Sequence, residues 1–198
     1  DDNLSCILYS TDASIYREKP AAVCYPKSIE DIKRLIAFSS HTGYGIIPRA
    51  AGTSVAGQVV GNGIVADLSR HFTKIIEINR DERWVRLQPG VVPDELNKIL
   101  RPYGLLFGPE TSTSNRCNIG GMVGNNSCGL HSLVYGSVRD HIIEVKVLLS
   151  DGSEAVFCPL DPTGYREKLN LETTEGEIYR SLDKLMSDEA NRKSVIEG

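Results

Sequence analysis

Residues 48–58 read PRAAGTSVAGQ and follow the apolar pair Ile46-Ile47 directly. Ile46-Ile47-Pro48 predicts a short buried strand, so the glycine-rich stretch is presented at a strand end. Glycine admits φ > 0 and lets a ligand approach the main chain, so successive N–H groups in such a loop can converge on an anion. Charge patterning points the same way: residues 32–66 hold no Asp or Glu, although 26 of the 198 residues are acidic. A second acid-free window covers 111–139 and contains TSTSNRCNIGGMVGNNSCG, Thr111 to Gly129. Arg49 and Arg116 add positive charge at the edges. Either window alone reads equally well as an ordinary uncharged loop. Two in one chain favour a pair of lips around one phosphate group.

Working outward, Ser28-Ile29-Glu30-Asp31 resembles a capping box, and Ile29, Ile32, Leu35 and Ile36 share one helical face. A helix is expected from 29 to 42, ended by Gly43 and Gly45. Ile64 to Leu68 and Ile75 to Asn79 are strand candidates, and Trp84 to Gln88 alternates like a strand before the Pro89-Gly90 turn. Pro93, Asp94 and Glu95 suit a first helical turn, with Leu96, Ile99, Leu100 and Tyr103 as the apolar face of a helix over 93–103. Ile119 to Asn125 is expected to form a short helix, with Asn118 as its cap and free N–H groups aimed at the ligand. Ile142 to Leu149, Asp151-Gly152 as a two-residue turn and Glu154 to Cys158 predict an antiparallel hairpin in the core. Beyond it, Ile178, Leu182, Leu185 and Met186 fit an amphipathic helix, while 187–198 holds little that could pack. The expected organisation is an α+β fold in three parts: 1–80 with the first loop, 81–158 completing the site, and a helical or mobile tail over 159–198.

Composition narrows the function. At 40% hydrophobic, 24% charged and a formal charge of −4, the chain is ordinary for a globular domain and lacks the field that holds nucleic acid. No stretch approaches the ~18 apolar residues of a membrane span, and DDNLSC is not read as a signal peptide, so a cytoplasmic location is expected, or membrane association through a partner. Five cysteines (Cys6, Cys24, Cys117, Cys128, Cys158) form no CxxC pair, which disfavours a disulfide framework and a metal or iron–sulfur centre in these residues. The four histidines are scattered; His131 and His141 qualify for proton transfer only by titrating near neutrality.

A P-loop requires GxxxxGK[ST], and no Gly-Lys-Ser or Gly-Lys-Thr occurs. Gly61-Asn62-Gly63 is followed by a strand-like run, not by the helix of a Rossmann fingerprint. What remains is a nucleotide held by two separate loops. At this point PRAAGTSVAGQ resembles the pyrophosphate loop of the vanillyl-alcohol-oxidase (PCMH-type) FAD-binding flavoproteins, written around P-x-G-G-G-T-S-x-x-G. Gln88-Pro89-Gly90-Val91, Gly108-Pro109-Glu110, Asn118-Ile119-Gly120-Gly121-Met122 and Tyr135-Gly136-Ser137-Val138-Arg139-Asp140 are similar to the family's successive motifs, in order over about 20–158. In pattern the chain resembles FAD-linked D-lactate dehydrogenase, glycolate oxidase and D-2-hydroxyglutarate dehydrogenase. Tyr9 to Ser14 and Gly124 to Gly129 resemble the large members that join flavin and iron–sulfur domains.

The resemblance implies that Arg49, Ala50, Ala51, Gly52, Thr53 and Ser54, with Gly57 and Gln58, grip the FAD pyrophosphate. Pro109, Thr111 and Ser112 would lie along the ribityl and ring side. Asn118, Ile119, Gly120 and Gly121, with Asn125 and Ser127, would close the second lip. The backbone of Ile143 and Val145 would face the adenine. A turn or cap bond is the plain alternative for each hydroxyl. Ala50 and Ala51 stand where the family has glycines, which moves the essential close approach to Gly52 and Gly57. Thr53 occupies a position where covalent members carry His, so non-covalent FAD is implied. The implied reaction is hydride transfer from a D-2-hydroxy acid to FAD, with the substrate held by a cap domain outside these 198 residues. Any iron–sulfur cluster would also lie outside them, and no catalytic residue or electron acceptor is legible. The chain is therefore expected to behave as a cofactor-binding part with little activity of its own. Two alternatives stand: a sugar-nucleotide reductase of the same fold, although those lack the Asn125-Asn126 and Tyr135-Gly136 motifs, and a non-catalytic flavin-binding module.

Overall fold

The computed structural model describes residues 3–197. In chain order the elements are α1 (Asn3–Leu8), β1 (Ala22–Cys24), α2 (Ile29–Thr42), β2 (Ile46–Arg49), β3 (Ile64–Asp67), β4 (Ile75–Asn79), β5 (Trp84–Leu87), α3 (Pro93–Leu100), α4 (Ile119–Gly124), α5 (Ser132–Tyr135), β6 (Val145–Leu148), β7 (Glu154–Phe157), α6 (Pro162–Leu169), α7 (Thr174–Met186) and α8 (Glu189–Glu197). Short 3₁₀ turns follow α3 at Arg101–Tyr103 and precede β6 at Val138–His141. The chain divides after Ile142 into two compact units.

The first unit opens with a parallel sheet ordered β1-β3-β2. Central β3 is buried along its whole length, with Val65 at 0% exposure, as an apolar strand between two parallel neighbours must be. α2 connects β1 to β2. Ser28 Oγ accepts from Asp31 N, and the Asp31 carboxylate accepts from Ser28 N and Lys27 N, so the expected capping box is present. Those bonds, Lys27 N foremost, hold the Asp31 carboxyl below its ordinary pKa. Gly43 ends the helix in the left-handed conformation at φ 78°. Because β2 and β3 are parallel neighbours, the chain must cross back between them. The glycine-rich loop is that crossing, and it leaves from the carboxyl end of β2.

β4 and β5 form an antiparallel hairpin with an irregularity between Ile75 and Glu77; residues 80 and 81 fall in its turn. Beside it sits the main core: Val91, Leu96, Leu100, Cys117, Ile119, Met122 and Val138 are buried, with Ile75, Ile78, Val85 and Leu87 packed against them. α3 contributes Leu96 at 0% exposure, so that side chain alone is worth about 1.5–3 kcal/mol of transfer free energy. The helix expected over 93–103 ends at Leu100 and tightens into the 3₁₀ turn, closed by Gly104 at φ 66°.

The second unit pairs β6 and β7 antiparallel, Val145 opposite Phe157. The strand is shorter than the apolar run that predicts it. α7 contains the expected apolar series but buries a different set: Glu175, Gly176 and Tyr179 are covered, whereas Leu182 and Leu185 are 51% and 52% exposed. Tyr179 packs edge-on to Tyr165 and beside Phe157, and these contacts anchor the helix at its first two turns. Residues Glu189–Glu197 are helical and exposed.

Candidate functional site

The first lip leaves β2 at Arg49. Gly52 and Gly57 have φ of +65° and +73°, a region that L side chains rarely adopt. Ala50 and Ala51 lie outside it, since Arg83 and Asn126 are the non-glycine residues with positive φ among those described. Left-handed backbone in this loop therefore falls on Gly52 and Gly57 and not on the two alanines. Ser54 Oγ is hydrogen-bonded to Gln58 Oε1 and also accepts from Ala56 N at 3.2 Å, which folds the tip onto itself. Thr53 is half-buried. Arg49 does not stand free at the edge of the loop: its Nη1 donates to the carbonyls of Thr11 (2.9 Å) and Tyr9 (3.4 Å), and its guanidinium lies 5.1 Å from the Tyr9 ring centroid.

The second lip is built around α4. Asn118 is only 4% exposed, and its Nδ2 donates to Gly90 O at 2.9 Å. It makes no side-chain cap bond. The N–H groups of Ile119 and Gly120 donate to Val91 O (2.9 Å) and Pro89 O (2.8 Å). The expectation of an Asn118-capped helix aiming free N–H groups outward is thus corrected at these residues. The carbonyls of the Pro89 to Val91 turn take those donors and fasten α4 to the core. Pro109 is buried, Thr111 Oγ1 lies 3.2 Å from Thr113 Oγ1 and 3.4 Å from Cys117 Sγ, and Ser112 is exposed. Asn125 Nδ2 donates to Ser127 Oγ at 3.3 Å, and Ser127 N to Met122 O at 2.9 Å.

The two lips meet. Gln58 Nε2 donates to Asn125 Oδ1 at 3.0 Å across 67 residues of sequence. A methyl placed on Gly121 would lie 3.2 Å from Ala50 Cβ. Arg49 to Gln58 and Asn118 to Ser127 are therefore brought together, whereas Ile143 and Val145 belong to the second unit, with Ile143 60% exposed. The Tyr135 to Asp140 motif is a local device: Asp140 accepts from Ser137 N (2.7 Å) and Oγ (3.0 Å), which lowers its pKa.

A cavity of about 220 Å³ lies beside Pro109, lined by Phe107, Glu110, His131 and Tyr135 among others and by none of the first lip. His131 Nδ1 and Glu110 Oε1 are 3.0 Å apart, and His141 Nε2 is 2.6 Å from Tyr135 O. The sequence marks both histidines but not Glu110 as a partner; its place directly before the acid-free window is the available signal. Among the described residues no group of three or more His, Cys, Asp or Glu could hold a metal ion, and no helix is long and apolar enough to cross a membrane.

Two buried acceptors lack a donor among the described residues, Asn118 Oδ1 and Asp12 Oδ2. The amide oxygen of Asn118, in the second lip, suits a ligand with hydroxyl or N–H donors, and the acid-free stretch 32–66 suits one that carries phosphates. A dinucleotide cofactor has that donor set. Fold and site together define a nucleotide-binding α+β domain with two apposed loops.

Residues 20–157 match the family described as FAD binding domain, and the chain belongs to it. It is 39% identical to the D-2-hydroxyglutarate dehydrogenase of Pseudomonas putida over 91% of this chain and 18% of that protein. Identity to the D-2-hydroxyglutarate dehydrogenase of Escherichia coli is 44%, over 87% of this chain and 17% of that protein. The glycolate oxidase subunit GlcD of Bacillus subtilis is 30% identical over 99% of this chain and 43% of its own length. The structure of alkyldihydroxyacetonephosphate synthase superposes with a TM-score of 0.70 at 21% identity, over 83% of this chain and 32% of that one, and so shares the fold. The chain spans less than a fifth of the length of the two D-2-hydroxyglutarate dehydrogenases.

Proposed function

We propose that this chain is the cofactor-binding part of an FAD-dependent dehydrogenase that oxidises a D-2-hydroxy acid of the lactate, glycolate or 2-hydroxyglutarate kind. The observation that carries the reading is the closure of the two acid-free loops on each other through Gln58 and Asn125. Bound non-covalently, FAD would supply hydride acceptance. The loop of Ala50 to Ser54 with Gly57 and Gln58 holds the pyrophosphate through backbone groups, with Arg49 behind it. Pro109, Thr111 and Ser112 line the ribityl and ring side, and Asn118 to Gly121 with Asn125 and Ser127 form the opposing lip. Ile143 and Val145 serve the adenine end. In this assignment residues 1–80 and 81–158 each supply one lip. A base and a cationic anchor for the substrate carboxylate come from residues beyond this chain. The His131 imidazole is engaged by Glu110, and that of His141 by the Tyr135 carbonyl.

The purified chain, incubated with FAD and desalted, is expected to be yellow and to release its flavin on denaturation. A preparation that stays colourless after reconstitution removes the cofactor assignment, and flavin that stays with denatured protein removes the non-covalent one. In the full-length protein, reduction of an artificial acceptor with D-2-hydroxyglutarate or D-lactate tests the substrate class. Oxidation of NADPH on adding a UDP-sugar would instead identify a reductase.

A further inference from the structure

Residues 9–17, ahead of the first strand, touch the glycine loop. After α1 the chain turns back on itself. Thr11 and Arg17 face each other in an isolated antiparallel bridge, and Glu18 N donates to Ser10 O at 2.9 Å, which closes residues 12–16 into a small loop of their own. Ser14 N donates to Asp12 Oδ1 at 2.8 Å and Tyr16 N to Ser14 Oγ at 3.1 Å, so this loop is internally ordered. It touches the glycine loop at three positions. Ala13 N donates to Gly52 O at 3.2 Å. Thr11 O accepts from the Arg49 guanidinium, whose flank rests on the Tyr9 ring, and Tyr9 Oη is tied to the Asp67 carboxylate of β3 at 2.5 Å. The Tyr16 ring packs against Gly57, where a methyl would stand 2.5 Å from Cδ2.

We infer that residues 9–17 form a strap that fixes the glycine loop in its binding conformation before the cofactor arrives, with Tyr16 and the Arg49-to-Thr11 bond as the positioning contacts. The inference rests on the FAD reading of that loop. Gly52 and Gly57 have positive φ, and these are the two glycines the strap holds. Glycine loses more conformational freedom on ordering than any other residue, so a loop built on two of them binds weakly unless something outside it orders it first. The strap is buried at its base, where Ser10 is 2% exposed, and open at its tip, where Tyr16 is 57% and Ile15 94% exposed. Its tyrosine ring is held over the loop without being needed to fill the interior. Arg49 accordingly acts on the ligand through the strap, as a positioning residue whose charge lies behind the loop.

The test compares the wild-type chain with Tyr16→Ala and Tyr16→Phe, by titration with FAD and by amide hydrogen exchange of residues 52–58 in the FAD-free chain. Ordering one additional residue on binding weakens affinity by about tenfold. Tyr16→Ala is expected to raise Kd by about that factor and to exchange faster over the loop, with an unchanged unfolding midpoint. Tyr16→Phe keeps the ring and is expected to match wild type in both measurements. Wild-type exchange and affinity in Tyr16→Ala would overturn the strap, as would a Tyr16→Phe chain as impaired as Tyr16→Ala. A wild-type chain that binds no FAD defeats the cofactor reading instead, and the exchange comparison still decides whether the strap orders the loop.

Discussion

Replacing Gly52 by alanine tests the claim that the first lip depends on backbone geometry. The residue sits at φ +65°, and an L side chain in that region costs about 1–2 kcal/mol. The new methyl would also stand 2.7 Å from Arg49 Cζ and 2.8 Å from Nε, so the guanidinium must move. That guanidinium is tethered to Thr11 O at 2.9 Å, and weakening a charge-assisted bond of this kind removes about 1 kcal/mol. Together the two effects come to about 2–3 kcal/mol against the loop conformation that binds, or roughly 30- to 150-fold in FAD affinity. Flavin fluorescence titration of the reconstituted chain measures it. Gly124→Ala is the internal control: it lies in the opposite lip, has no positive φ, and a methyl there meets nothing within 4 Å. Its Kd should stay near wild type. Equal affinities for Gly52→Ala and Gly124→Ala would refute the argument.

In the core, Leu96→Ala removes a side chain at 0% exposure and is expected to destabilise the chain by about 2–5 kcal/mol, read as a fall in the urea midpoint at unchanged slope. A loss under about 1 kcal/mol would mean that Leu96 is not packed as described. In the second unit, Asp151 accepts from Ser153 Oγ (2.6 Å), Thr174 Oγ1 (2.5 Å) and Ser153 N (2.9 Å). With Ser153 Oγ the largest cause, these bonds hold its carboxyl at about 2 against an ordinary 3.8. A depressed folded-state pKa stabilises above the unfolded value and loses that contribution as pH falls from 3.8 towards about 2. The stability gap between wild type and Asp151→Asn should therefore close across that window. A carboxyl titration midpoint for Asp151 near 3.8 would count against the three bonds.

The parts of the fold that were legible in the sequence are those set by local chemistry. Ser28 and Asp31 start α2 and Gly43 stops it, because each satisfies backbone groups within a turn of itself. Gly152 turns the β6–β7 hairpin at φ +82° beside Asp151, but Leu149 N donates to Ser153 O, so the loop is longer than the two-residue turn that Asp151-Gly152 predicts. Where a distant segment competes for the same group, local chemistry misleads. Asn118 has the chemistry of a cap, but Gly90 O is 28 residues away and takes its Nδ2, while Val91 O and Pro89 O take the helix donors. Arg49 beside a glycine loop suggests a ligand contact, yet the carbonyl that holds it is 38 residues upstream. Helices α1 and α5 are six and four residues long, too short for apolar periodicity to register. α6 did carry a start signal, Asp161 accepting from Gly164 N with Pro162 in the first turn, inside a stretch whose charge suggested a tail.

The partners of Asn118 and Arg49 bear on how the site meets negative charge. With Ile119 N and Gly120 N bonded to Val91 O and Pro89 O, and with the Arg49 guanidinium bonded to the strap, the first lip's cation and the first two donors of α4 are committed to the scaffold. What both lips do share is the absence of carboxylates over 32–66 and 111–139. At an effective dielectric of about 20, one carboxylate about 6 Å from a phosphate charge costs about 3 kcal/mol, a factor of more than 100 in affinity. Exclusion of acids is therefore worth as much as a well-placed cation, and it needs no residue to be freed from the scaffold. Asp67 and Asp140, which end the two windows, are both held by hydrogen bonds within the protein, Asp67 to Tyr9 and Ser69 and Asp140 to Ser137. The acid-free windows that mark the site in the sequence thus act by keeping charge out, and the strap and the Pro89 to Val91 turn can use the available donors to hold the lips in place.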